Sequence, residues 1–521
     1  TRALDIDLGL TDKEKQQVLD WKLSNKTDEL FRFLFLKQCQ QLSDLLPGLF
    51  DEGTEGSGYP LPTTPYSLLL TISYVNPAGI VAELLKIPES YFNVNEVDED
   101  GEPTGQIQII GWMYQYYNSE LKDLTFAELK GSNKISKERI PAATQLFTPQ
   151  WIVKYLVENS LGRLWVEKLI ADGDTRTEEQ IARSFGWRYY LPEANQPPEV
   201  AEQLKKQCKA RDIHSPEDLS FLDPCMGSGH ILVYAFDVLM QIYLSCGYTR
   251  RDAVKLIVQK NITGIDIDER AWQLSYFAVM MKARQYSQHA LQDIASVDLF
   301  QMQETTGLSD KLLDFIASSG GAHLRDDLNT LKTAYAEAKT LGSIIRPPDI
   351  NTQGIWEHYW REIKGHDYKD LEEIGLQNTA EKLFEPVILQ HMALEKQYHA
   401  VVTNPPYMGS SGMDPLLASF VKEEYPDSKS DLFAVFIERC GEMTAVGGYT
   451  AMITQHAWMF LSSYEKLRQQ INLRNIINMA HLGARAFDEI SGEVVQTTAF
   501  VTGKSHTAGY LGTYARLIEP T

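Results

Sequence analysis

Cysteine is scarce in this chain, and no two cysteines stand in a Cys-x-x-Cys pair. The five that occur (Cys39, Cys208, Cys225, Cys246 and Cys440) are scattered. That excludes a disulfide framework and a thiolate zinc site, and it suits a reducing compartment. The eleven histidines are just as dispersed, with none at His-x-x-x-His spacing, so no metal is expected. Long hydrophobic runs are missing too. Stretches such as Leu68-Leu69-Leu70-Thr71-Ile72 are far too short to span a bilayer, and no membrane partner is expected. No basic leader followed by an apolar run opens the sequence, so the expected location is the cytoplasm. Positive charge is the third deficit: 49 Lys and Arg face 70 Asp and Glu, for a net charge of −21. A nucleic-acid partner usually requires a basic surface, because neutralised phosphates release counterions. The basic clusters present are Lys130, Lys134, Lys137 and Arg139; Lys205, Lys206, Lys209 and Arg211; and Lys466, Arg468 and Arg474. Each reads first as a solvated helix face.

What remains is a globular composition, 43% hydrophobic and 23% charged, in 521 residues, enough for two or three domains. Leu30, Phe31, Leu34, Phe35 and Gln38 recur at helical spacing before a Pro47-Gly48 break. Residues 51–65 are rich in Gly, Pro, Ser and Thr and read as a linker. Residues 1–140 are expected to form a helical domain. Thr148-Pro149 is a helix start, with Thr148 able to cap free amides and proline tolerated at the first position. Strand, helix, strand and helix then alternate: 220–222, 231–243, 262–267 and 271–283. This rhythm opens a doubly wound α/β sheet. Residues 141–304 are its first part, 305–395 a helical insertion, and 396–521 its second part. Further strands are expected at 297–304, 398–403, 449–454, 476–481 and 494–501.

Two loops carry chemistry. In Asp223-Pro224-Cys225-Met226-Gly227-Ser228-Gly229-His230, the glycines let backbone amides approach a ligand at a helix N-terminus. No lysine follows as in a phosphate loop, and the Gly-x-Gly-x-x-Gly of a dinucleotide fold is absent here. An acidic Asp223 suits a cationic ligand end, such as the ammonium of S-adenosylmethionine. Asp266, followed by Ile267, ends the next strand and can accept two hydrogen bonds from a ribose diol, or cap the helix behind it. The second loop is Asn404-Pro405-Pro406-Tyr407. The Asn404 side-chain carbonyl and the Pro405 backbone carbonyl can accept the two N–H bonds of an exocyclic amino group. The prolines keep those acceptors fixed, and Tyr407 offers a stacking face for an extruded base.

Phe147-Thr148-Pro149, then Asp-Pro-x-x-Gly-Ser-Gly, then Asn-Pro-Pro-Tyr, in that order, resemble the amino-methyltransferases of DNA in their γ arrangement. The resemblance implies a Rossmann-like sheet that binds S-adenosylmethionine. It places Phe147, Thr148 and Pro149 at the methionine end and a second aromatic, here Phe487, against the flipped base. Over most of residues 110–505 the chain resembles the PglX family, the adenine methyltransferases of BREX phage-exclusion systems. The strings that carry this are Gly111 to Tyr117, Asn404 to Gly409, Ser430 to Phe433, Trp458 to Tyr464 and Val494 to Thr497. The family implies methylation of adenine N6 in double-stranded DNA, alongside other BREX proteins. Its members are longer and carry a C-terminal region that reads the DNA. This chain ends about twenty residues after its last expected strand. The target-recognition region is therefore expected to be missing or carried by another subunit. Asp298 and Glu304 both remain candidates to contact the cofactor's adenine.

Three other readings stand beside this one. A protein glutamine methyltransferase would use the same Asn-Pro-Pro-Tyr chemistry on a side-chain amide and sits well with an acidic chain. The modification subunit of a type I restriction system would explain the length and a separate recognition subunit. A non-catalytic module sensing S-adenosylmethionine within a defence complex is the third.

Overall fold

The computed structural model describes residues 10–49, 148–318, 321–484, 486 and 496–518, together with isolated positions between 76 and 141. The chain forms two compact units. One comprises Thr1–Ile110 with Tyr276–Ala295, the other Gly111–Ser275 with Ser296–Thr521. Within the described part of the first are the helices Asp12–Leu23 and Thr27–Leu45. Thr11 caps the former reciprocally with Glu14.

Among the described residues the second unit holds one sheet of eight strands: β1 (Phe221–Asp223), β2 (Ile262–Asp266), β3 (Leu299–Gln301), β4 (Tyr398–Thr403), β5 (Thr444–Gln455), β6 (Asn475–Gly483), β7 (Thr497–Gly503) and β8 (Thr513–Arg516). Their order across the sheet is β3-β2-β1-β4-β5-β7-β6-β8. Only the β5–β7 and β6–β7 pairs are antiparallel. All strands but β7 therefore present their carboxyl ends at one edge. The order reverses between β1 and β4, and ligands bind at such a switch point in doubly wound sheets. This is the doubly wound α/β sheet expected from the alternating strands and helices, with the Rossmann-like order that the resemblance implies. β4 matches its expected span. β3 is only three residues long, and β8 is an edge strand too short, and too evenly alternating between half-buried and exposed, to stand out in sequence.

The parallel strands are buried on both faces, so they read as apolar runs. Helix His230–Ser245 buries Leu232, Val233, Phe236 and Leu239. Helix Leu432–Met443 is buried along most of its length. The segment 305–395 is helical as expected, and Leu328, Tyr335, Tyr359 and Phe384 share one hydrophobic cluster with Val401 of β4 and Met452 of β5. At Thr148-Pro149 the capping expectation fails. Pro149 itself takes the N-cap position of helix Gln150–Val157, with no side-chain cap. The Thr148 hydroxyl instead accepts a bond from Asn404.

The basic clusters are not all solvated faces. Arg211 is ion-paired with Glu167, which also accepts the Tyr449 hydroxyl of β5 at 2.7 Å. Arg163, 1% exposed, faces Glu193 at 3.3 Å, Glu167 at 3.7 Å and Glu178 at 3.8 Å. Removing one partner from such a buried group strands the others without compensation. Arg163→Met should therefore lower the unfolding free energy by about 3–5 kcal/mol, read from urea or thermal unfolding. A variant as stable as the parent contradicts the network's role.

Candidate active site

The carboxyl ends of β1, β2 and β4 carry the predicted chemistry. Asp223 closes β1 and is 1% exposed. Its Oδ1 accepts the Thr403 hydroxyl at 2.7 Å and the Cys225 amide at 3.1 Å. Its Oδ2 is buried and has no hydrogen-bond partner among the described residues. Burial pushes its carboxyl up to about 7, against the opposing hydrogen bonds from Thr403 and Cys225. The loop then turns through Gly227 (φ +51°) and Gly229 (φ +83°), backbone conformations that favour glycine. Among the described residues a Cβ at Gly227 would meet nothing within 4 Å, so none of them covers the loop backbone there. At Gly229 it would meet Ser275 Oγ at 2.7 Å, which fixes how closely loop and helix pack. The Met226 amide bonds Ile265 O at 3.0 Å, and the Gly227 amide bonds Asp266 Oδ2 at 2.9 Å. Asp266 Oδ1 accepts the Asp268 amide at 2.9 Å. Burial raises the Asp266 carboxyl to about 6, partly offset by those amides.

These elements surround one cavity. Of the predicted cofactor residues, Pro224, Cys225, Gly227, Asp266 and Ile267 line it. Asp223, Thr148, Pro149, Ser228 and Gly229 lie outside its lining. Asn404 and Pro406 line the opposite wall. The Asn404 Nδ2 donates to Thr148 Oγ1 at 3.1 Å, which turns the amide nitrogen toward Thr148 and the oxygen away from it. Tyr407 is held by a 3.2 Å bond from its hydroxyl to Ile453 O and an edge contact with Phe433, centroids 6.1 Å apart. Phe147 and Phe487 lie outside the described residues.

Asp298 is a correction. It precedes β3, and its carbonyl accepts the Gly264 amide at 2.9 Å, which puts it at the amino edge of the sheet. There its carboxyl faces Lys396 rather than the cavity. Glu304 follows β3 on the carboxyl side but does not line the cavity either.

Three contributors were given no role from the sequence, although two of them fall in the strings Gly111 to Tyr117 and Ser430 to Phe433. Thr340 to Ile344, deep in the insertion, form one wall, and Ser343 Oγ donates to Pro224 O at 2.7 Å. Gly342 (φ +62°) is the local signal that would have marked this turn. Tyr114 donates its hydroxyl to Asp268 Oδ2 at 2.6 Å. A Cβ at Gly111 would meet Ser228 Oγ at 2.8 Å, so this segment packs directly on the glycine loop. Asp431 caps helix Leu432–Met443 through the Phe433 amide at 3.3 Å, and the same oxygen takes the Met408 amide at 3.0 Å. It ties the loop after Asn404 to a rigid element, with Leu432 N bonded to Met408 O at 3.0 Å.

The Eco57I restriction-modification methylase family matches residues 260–487. The chain is 43% identical, over 97% of its length, to the adenine-specific methyltransferase PglX of Lacticaseibacillus casei (strain Zhang). It is 38% identical over 99% of its length to the adenine-specific methyltransferase BrxX of Escherichia coli O9:H4 (strain HS). The resemblance read from the motifs is thus borne out. The chain spans 39% of the first relative's length and 41% of the second's. Among solved structures, the DrdV–DNA complex matches 92% of this chain and 37% of its own, at 10% identity and a TM-score of 0.40.

Asp431→Ala should release the Met408 and Phe433 amides together. The expected outcome is a loss of about 1–2 kcal/mol, the upper range for a helix cap, with faster amide hydrogen exchange at 408–410 and 432–434. Unchanged exchange at Met408 contradicts the clamp.

Proposed function

We propose that this chain is the catalytic part of a DNA methyltransferase that transfers a methyl group from S-adenosylmethionine to N6 of an adenine turned out of the duplex. The sign of the cavity carries this reading. Among the described residues its lining has two carboxylates, Asp266 and Asp268, and no Lys, Arg or His. Such a wall attracts a ligand with cationic groups and repels a polyphosphate. The buried Asp223 Oδ2, with no donor among the described residues, fits an ammonium at the same end. The uncovered backbone at Gly227 fits close approach of a ligand.

S-adenosylmethionine supplies a methyl group already activated by its sulfonium. The protein's task is to hold and orient. Asp266 suits a ribose diol, and Ile267 with Leu341 and Ile344 offers an apolar wall for the purine ring. The adenine amino nitrogen is a weak nucleophile, because its lone pair is delocalised into the ring. Acceptors at its two N–H bonds counter that delocalisation. Asn404, oriented by Thr148, and the carbonyl of Pro405 suit that part. Tyr407, fixed to β5, suits the stacking surface. The relatives named adenine-specific methyltransferases support adenine as the target. The PglX and BrxX names of those relatives support a role beside other BREX proteins.

Incubation with tritiated S-adenosylmethionine and unmethylated DNA should place label in N6-methyladenine. Label in a release factor instead, or none in DNA, overturns the reading. Asn404→Ala should lower the transfer rate at least ~100-fold, as loss of one preorganised polar contact does, while S-adenosylmethionine still binds. A protonated carboxyl attracts no cation, and Asp266 titrates near 6. With the Asp223 carboxyl raised to about 7, affinity for S-adenosylmethionine should therefore rise as pH climbs through about 6 and level off only above about 7, with proton release on binding below that point. Calorimetry from pH 5.5 to 7.5 checks this, and a flat profile contradicts it.

A further inference from the structure

Beyond the cavity, the same carboxyl edge carries a second constellation. β5 ends at Gln455, two residues after the carbonyl that holds the Tyr407 hydroxyl, and the chain turns through His456 to Leu461. This turn is rigid. The Trp458 indole donates to Thr454 Oγ1 at 3.1 Å, and its ring packs edge-on to Phe500 at 5.2 Å. Arg468 Nη1 donates to the Trp458 and Leu461 carbonyls at 2.7 and 2.6 Å. The His456 amide is tied to Gln496 O at 2.9 Å.

On this fixed turn Phe460 is left 63% exposed. Single exposed apolar residues are ordinary, but this ring packs beside two imidazoles whose own centroids are 5.1 Å apart. It lies 5.3 Å from His456 and 6.2 Å from His481, at the end of β6. The imidazoles share a 2.9 Å hydrogen bond, Nδ1 of His456 to Nε2 of His481. Arg516, the register partner of His481 on β8, is exposed; burial first, and then this nearby guanidinium, depress the imidazole's basicity. No ion pair to Arg516 occurs among the described residues. In an acidic chain, three exposed or half-exposed rings beside an unneutralised guanidinium form a local reversal of character. Ring faces suit nucleobases of any identity, and a cation beside them suits the phosphate that follows.

We propose that Phe460, His456, His481 and Arg516 form a platform that grips the substrate DNA strand beside the target adenine. A base stacks on Phe460 and its phosphate meets Arg516. The proposal rests on the methyltransferase reading and adds the surface that holds the strand, distinct from the residues that touch the reacting nitrogen.

The test measures binding of labelled duplex and single-stranded DNA by anisotropy, from about 50 to about 200 mM salt, with S-adenosylmethionine affinity measured in parallel by calorimetry. Phe460→Ala should weaken DNA binding about tenfold, and Phe460→Trp should retain it, which also shows that the turn still folds. Arg516→Gln should weaken binding and reduce the salt slope by about one. S-adenosylmethionine affinity should be the same in all three. If the parent protein binds and methylates DNA but Phe460→Ala and Arg516→Gln bind within about twofold of it, the platform is refuted and the methyltransferase reading stands. If the parent neither binds nor methylates DNA, both fall.

Discussion

One buried hydrogen bond joins the two halves of the chemistry: Thr403 Oγ1 to Asp223 Oδ1, 2.7 Å, with both residues almost wholly inaccessible. Thr403 ends β4 and Asp223 ends β1, the pair of strands where the sheet order reverses. The bond therefore fixes the start of the Asn404 loop against the start of the glycine loop, although 180 residues separate them in sequence. Both loops then acquire second anchors of their own. Asn404 is tied to Thr148, Met408 to Asp431, and Gly227 to Asp266. The cavity is rigid because each wall is pinned by a polar contact that burial makes costly to break.

That economy depends on burying carboxylates, and burial has an electrostatic consequence. Desolvation raises the Asp223 carboxyl to about 7 and that of Asp266 to about 6, with Asp431 raised in the same way. A cationic ligand relieves this by favouring the ionised forms. The net charge of −21 looked ill-suited to a nucleic-acid partner. The structure puts part of the imbalance to use inside the site, where negative charge faces the cavity. Part of the positive charge is absorbed in the interior, as with Arg163 and Arg211.

Much of this was legible in the sequence because the residues involved are local. A strand running into Asp-Pro-x-x-Gly-Ser-Gly and another into Asn-Pro-Pro-Tyr carry their geometry within ten residues each. β4 and the helices after β1 and β2 followed from apolar patterning. What sequence reading missed is what depends on distant segments meeting. Nothing at Thr340 to Ile344 announces a cavity wall, because its partner Pro224 lies over a hundred residues away. Thr148 looked like a helix cap because caps are local, yet its hydroxyl is taken by Asn404. Asp298 and Glu304 both stayed open as contacts to the cofactor's adenine, because nothing local to a three-residue strand shows which side chains reach a cavity.

We propose that the cavity at the switch point, lined by Asp266 and Asp268, binds a cationic methyl donor beside the amino group that Asn404 holds. Equilibrium binding of S-adenosylmethionine, with ATP and S-adenosylhomocysteine as competitors, tests it most directly. The account predicts saturable binding at one site, displaced by S-adenosylhomocysteine and indifferent to ATP. Absence of binding, or displacement by ATP, would contradict it.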